Sequence, residues 1–227
     1  MGFSYAPAVQ VRTGAERATL VRRTYGLVFL SVIVAMLGTA FTIAQPNLLY
    51  AVAAHPFITF IASFIPLMMA QRSARVFPRN IVLTELFTFI TGVWIAPVLV
   101  MAEQSAPGIV SEAAILTFGA FGVLTLYAFV SRRDFSAWGG FLMVGLFVLF
   151  ISMILNMFFH SAIAGLYMAG MGVLIMSGLL VFDTWRIVRS GAYGQDDYVF
   201  AATTIFIDLL NLFLFILALL GGGNRRR

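Results

Sequence analysis

The chain has 227 residues, 61% of them hydrophobic and only 10% charged, with a mean hydropathy of +0.99; soluble domains carry roughly 25% charged residues, so this is the composition of an integral membrane protein. The absence of cysteine excludes disulfides, thiolate nucleophiles and thiolate metal centres, and because all fourteen basic residues are Arg, a retinal Schiff base and a Lys nucleophile are excluded as well. The net charge of +5 does not point to nucleic acid, since the arginines lie in pairs and triplets beside apolar runs instead of forming one patch.

Residues 1–23 read as a polar N-terminal tail carrying Arg12, Arg17, Arg22 and Arg23, without a signal-peptide cleavage pattern. Apolar runs follow at roughly 24–45, 48–70, 81–101, 111–130, 137–158, 161–183 and 198–220, each near the about 20 residues needed to cross a hydrocarbon core of about 30 Å. The expected architecture is all-α, with seven transmembrane helices forming one domain over 24–220 and a short basic tail over 221–227. The weakest separations fall at Gln45–Asn47 and Phe159–Ser161, so six crossings plus a re-entrant segment is the alternative count. Glycines at 139, 140 and 145 in the fifth segment and at 165, 170, 172 and 178 in the sixth permit close backbone approach, and place both helices in the interior. The 23 phenylalanines are expected to face lipid and to fill packing gaps.

Arginine near helix ends is retained in the cytoplasm. The N-terminal tail and the loops after the second, fourth and sixth segments hold eleven arginines, among them Arg72, Arg75, Arg79, Arg132, Arg133, Arg186 and Arg189, and the alternate loops hold none. The N-terminus is therefore placed in the cytoplasm and, with seven crossings, the C-terminus outside. Arg225, Arg226 and Arg227 then lie on the disfavoured side, a conflict that a re-entrant last segment would remove.

Charged residues at the centre of a spanning helix cost about 2.5–3.5 kcal/mol on insertion scales, so the acids are the informative residues. Glu16, Glu103 and Glu112 fall in tails or loops. Asp134, Asp196 and Asp197 precede the fifth and seventh segments, where acids cap helices and meet the positive end of the dipole. Glu85 lies about one turn inside the third segment, where it reads equally as a snorkelling residue or a functional one. Asp183 is near the end of the sixth segment, in LLVFDTWRI, and Asp208 is about 15 Å into the seventh, in TTIFIDLLNLFLF. Thr204 at i−4 and Asn211 at i+3 place a polar stripe on the helix face of Asp208, which must meet protein or water. Two carboxylates on consecutive helices cannot comfortably hold two charges in low dielectric, and such a pair binds a proton or a cation.

The stretches FGVLTLYAFVSRRDFSAWGG, VFDTWRI and DDYVFAATTIFIDLLNLF resemble the Bax inhibitor-1 family of membrane proteins over about residues 20–221. The resemblance implies a seven-helix bundle with the last helix central, and a pH-sensitive calcium leak across the membrane. It implies a di-aspartyl sensor at Asp183 and Asp208, also the weak and transient metal ligands, with an Arg latch at the end of the second segment that matches Arg72. Arg75, one turn away, is the substitute, and Thr204, Asn211 and Glu85 are candidate supporting residues. It further implies the cytoplasmic membrane of a bacterium, no cofactor, calcium or protons as transported ions and a membrane-bound protease as a partner.

Two other functions compete. One is a non-conducting regulator that binds another membrane protein, such as that protease. The other is an intramembrane aspartyl protease, for which two acids on consecutive helices would activate water; against it, Ile205, Phe206 and Ile207 precede Asp208 without a flanking glycine. Two aspartates also fall short of the six to eight oxygens that calcium prefers, which suits a site of weak transit rather than storage.

Overall fold

The computed structural model describes residues 14–73 and 76–224, and these are helical apart from short connections, with no strand among the described residues. In chain order the helices are α1 (Gly14–Ile43), α2 (Pro46–Ala54), α3 (Pro56–Arg72), α4 (Arg79–Ser105), α5 (Ile109–Val130), α6 (Trp138–Phe159), α7 (Ala162–Val188) and α8 (Tyr198–Asn224). Among the described residues six are long and apolar enough to cross a membrane singly, and α2 with α3, bent by 96° to each other, makes a seventh if the pair is one broken span rather than a re-entrant loop. The apolar run expected as one helix over 48–70 is thus two pieces.

The cause of the break is local. Pro56 disfavours the helical conformation for the residue before it, and His55 sits at φ −129°, ψ 55°. Pro46 and Pro56 each stand in the first turn of a new helix, where a missing N–H leaves no hydrogen bond unmade. His55 N donates to Ala51 O at 3.1 Å and Thr59 N to His55 O at 3.2 Å, so backbone groups are satisfied on both sides of the bend, as an apolar environment demands. Other helices run past their expected limits: α1 begins at Gly14, making part of the polar tail helical, α4 continues to Ser105 and α8 to Asn224, and α7 continues beyond Asp183 to Val188.

Contacts gather the start of α1, the ends of α5 and α7 and the start of α8 at one Arg-rich end of the bundle. The Tyr25 hydroxyl lies 3.0 Å from that of Thr184, Arg23 stacks over the Tyr198 ring, and Arg189 donates to the Phe129 carbonyl at 3.0 Å. Helix α8 is central. It packs against α7, α1, α5 and α4 and buries Ala201, Ala202, Ile205, Leu209 and Leu212 in the main core.

Close backbone approach is the organising contact of α1 with α4. A Cβ on Gly92 would overlap the Ala35 carbonyl, and one on Gly38 would overlap that of Phe89; Thr39 adds a hydrogen bond to the Gly92 carbonyl at 3.0 Å. Lipid tails are as apolar as the side chains, so such small-residue packing, rather than apolar burial, holds helices together in a membrane. The sixth-segment glycines behave as expected at Gly172 and Gly178, which receive Phe215 and Leu142. The fifth segment does not lie in the interior: α6 packs chiefly on α7 and turns Phe141, Phe147, Phe158 and Phe159 outward. Its glycines serve one face only, Gly139 admitting the Phe182 ring and Gly145 approaching Ile175.

Candidate functional site

Helix α7 turns Met176, Leu180, Asp183 and Ile187 inward at three- and four-residue spacing, and α8 does the same with Ala201, Ile205, Asp208 and Leu212. The acids therefore occupy core positions of their helices. Asp183 and Asp208 are each only 6% exposed, and their carboxyl groups adjoin at hydrogen-bonding range. The extension of α7 to Val188 brings Asp183 more than a turn inside the helix and level with Asp208.

One guanidinium serves the pair. Arg186, a turn beyond Asp183, donates from Nη1 to Asp183 Oδ1 at 2.9 Å. The Arg186 guanidinium also stacks on two rings, Phe182 at 5.6 Å and Tyr193 at 5.1 Å. Asp208 Oδ2 is buried and has no hydrogen-bond partner among the described residues. With both carboxyls ionised the cluster carries one uncompensated negative charge, which a single proton or a bound cation would balance.

Arg72 is exposed at the last residue of α3, and the arginine bonded to Asp183 is Arg186. Arg75 lies outside the described residues. Thr204 is half-buried on the α8 face leading to Asp208, its hydroxyl donating to Phe200 O at 3.1 Å. Asn211, a turn past Asp208, lines a cavity of about 760 Å³ together with Asn156, Met176 and Phe215. Glu85 stands on the α1–α4 seam, where Ser31 donates to Oε1 at 2.9 Å and Thr88 to Oε2 at 3.1 Å. No group of three or more His, Asp or Glu able to hold a metal occurs among the described residues.

Acids at the helix ends, Glu103 in the last turn of α4 among them, bond to nearby backbone amides. Asp134 accepts from the Ser136 amide at 2.8 Å, tightening a turn before α6, whose N-cap is Ala137. Asp197 accepts from the Gly194 amide at 2.7 Å within the α7–α8 loop, and Glu103 accepts from the Gly108 amide at 2.7 Å just ahead of α5.

Sequence reasoning missed Arg186 as the partner of Asp183 and missed Tyr193 altogether. The i, i+3 spacing in VFDTWRI is a legible sign of the first. Tyr193 is 4% exposed, and only the fold of its loop carries it inward; the flanking Gly191 and Gly194 are the signal in the sequence. Gly191 has φ +73°, a left-handed turn that glycine adopts without strain. The Tyr193 hydroxyl comes up beside Thr204 and within electrostatic reach of both carboxylates.

Comparison with known proteins matches residues 17–226 to the family model described as inhibitor of apoptosis-promoting Bax1. Among similar proteins, Bax inhibitor 1 of Schizosaccharomyces pombe is 28% identical over 209 residues, covering 90% of this chain and 77% of the relative. Protein lifeguard 4 of mouse is 28% identical over 227 residues, covering 99% and 93%. An uncharacterised protein of Campylobacter jejuni is 30% identical over 227 residues, covering 99% and 97%.

Proposed function

The chain belongs to the Bax inhibitor family of integral membrane proteins, and from that premise we propose that it is a pH-sensitive cation leak, passing calcium in the cytoplasmic membrane of a bacterium and gated at Asp183 and Asp208. The observation that carries this reading is the pair of adjoining carboxyls buried between α7 and α8 with a single guanidinium beside them. Intramembrane acids facing the bundle interior mark ion and proton paths. Two carboxylates make a weak site, and a leak needs an ion to leave as readily as it arrives.

The Arg-rich end faces the cytoplasm by the positive-inside asymmetry. When both acids are ionised, Asp183 holds a guanidinium across the mouth and the path is shut. Protonating the pair weakens that attraction and opens it. Further acidification removes the charge that attracts the cation, so flux rises and then falls as pH is lowered. Arg186 holds Asp183 in the conformation described, and Arg72 is proposed as the second latch, engaged by movement of α3.

The test is calcium flux into liposomes holding the purified protein, with an enclosed calcium dye, from about pH 8 to about pH 5. The parent is expected to show a pH-dependent leak that Asp183→Asn and Asp208→Asn flatten. Parent-like pH profiles in both variants would make the acids structural. An absence of flux in the parent would favour a regulator that acts on another membrane protein.

A further inference from the structure

The α7–α8 loop over residues 189–197 is folded back on the bundle by short-range contacts. Ser190 Oγ donates to the Arg186 carbonyl at 2.8 Å and accepts from the Ala192 amide at 3.1 Å, Gly191 turns left-handed, and the Gly194 amide is fixed by Asp197 at 2.7 Å. This course drives Tyr193 into the core, where its ring lies 5.9 Å from that of Phe200 and 5.1 Å from the Arg186 guanidinium. Arg186 is thereby held between the rings of Phe182 and Tyr193 while it bonds Asp183. Such cation–aromatic contacts gain strength when desolvated.

The buried Tyr193 hydroxyl comes up beside that of Thr204, and close by Asp208 Oδ2 is buried without a hydrogen-bond partner among the described residues. The charged and titratable groups facing the phenol are Arg186 and Asp183 from α7 and Asp208 from α8. Burial pushes the Tyr193 phenol above its ordinary value, with Arg186 acting in the opposite sense, so at neutral pH it is a neutral O–H beside Thr204 and within electrostatic reach of the acid pair. The loop is anchored at its start by the bond from Arg189 to the Phe129 carbonyl, and from there it turns the polar tip of Tyr193 inward.

We infer that Tyr193 is a positioning residue of the acid pair: its ring clamps Arg186 over Asp183 and closes the Arg-rich approach, so a cation reaches Asp183 and Asp208 only when the 189–197 loop carries the ring away. This rests on the proposed leak for its purpose but not for its geometry. The arrangement described is the closed one, and opening is a local event in which the loop carries Tyr193 out of the core.

Because the chain is free of cysteine, the lid can be read without measuring flux. Thr204→Cys places one thiol beside the Tyr193 hydroxyl, and Ser105→Cys places a control thiol at the far end of α4. Each is labelled in oriented vesicles with a membrane-impermeant, positively charged methanethiosulfonate from the Arg-rich side for the first thiol and the opposite side for the control. Tyr193→Leu keeps apolar bulk but loses the aromatic clamp, and is expected to speed labelling at 204 roughly tenfold with no change at 105. Tyr193→Phe keeps the clamp and should label at 204 as slowly as the parent. Equal rates at 204 in the parent and the Leu variant, or equal acceleration by Leu and Phe, would overturn the lid. If the Leu variant does not fold, Phe182→Leu loosens the same clamp from the other ring and must speed labelling at 204 in its place, and an unchanged rate there overturns the proposal. An absence of calcium flux in the parent with lid-dependent labelling intact would remove the leak and leave the lid standing.

Discussion

The bundle holds a carboxylate inside a spanning helix in two regions, and treats it in opposite ways. On the α1–α4 seam both oxygens of Glu85 accept hydroxyl hydrogen bonds, one from Ser31 on α1 and one from Thr88 on its own helix, beside a crossing so close that Gly38 and Gly92 have no space for a Cβ. Between α7 and α8, Asp208 instead faces a second carboxyl and keeps one oxygen without a partner. Donors from the neighbouring helix turn an acid into a fastening, whereas a like neighbour turns it into a receptor for positive charge. Glu85 is half-buried and Asp208 buried, and the identity of the facing atom separates the two roles further.

The largest expected effect tests the rigidity of the seam. Gly92→Val forces α1 away from α4 by backbone overlap and should cost about 3 kcal/mol or more, while Gly172→Ala on α7 meets only the Phe215 ring and should cost about 1 kcal/mol. Thermal unfolding in detergent compares them, and similar losses would erase the contrast between the interfaces. Next is Arg186→Gln, which leaves Asp183 without its guanidinium. Removing one member of a fully buried pair costs roughly 3–5 kcal/mol, and the 34% exposure of the Arg186 side chain reduces this to about 1–3 kcal/mol. The same variant should raise calcium flux at neutral pH, and unchanged flux would mean that Arg186 takes no part in closure. The smallest effect is at Glu85→Gln, where Ser31 and Thr88 still find a partner on the amide; the loss should be about 1 kcal/mol or less, comparable with interhelical hydrogen bonds in membranes, and the pH profile of flux should be unchanged. A flattened profile in this variant would move Glu85 from the seam into the gating machinery.

The membrane class and the positions of the spans were legible because every apolar run announces itself by length. The break at His55 was not, although Pro56 stood in view, because hydropathy continues unbroken across it and only the conformational effect of proline reveals it. Asp183 and Asp208 stood out from the cost of their burial. What surrounds them did not: the placement of Tyr193 depends on the left-handed turn at Gly191 and on the return of a nine-residue loop, neither of which has a hydrophobic period to read. The lipid-facing position of α6 was hidden for a related reason, since glycines reveal that one face is closely packed and say nothing about how many faces are.

The bend at His55 has a mechanical consequence. Helix α3 is 17 residues long, a rod of about 25 Å at the helical rise, fixed to α2 by a non-helical joint, packed along α4 and carrying Arg72 at its far end. A rotation of about ten degrees at that joint sweeps the arginine through about 4 Å, the rise of about three helical residues. A small angular change at the His55 end of the bundle is thus converted into a displacement of a few ångströms of a cation at the opposite end.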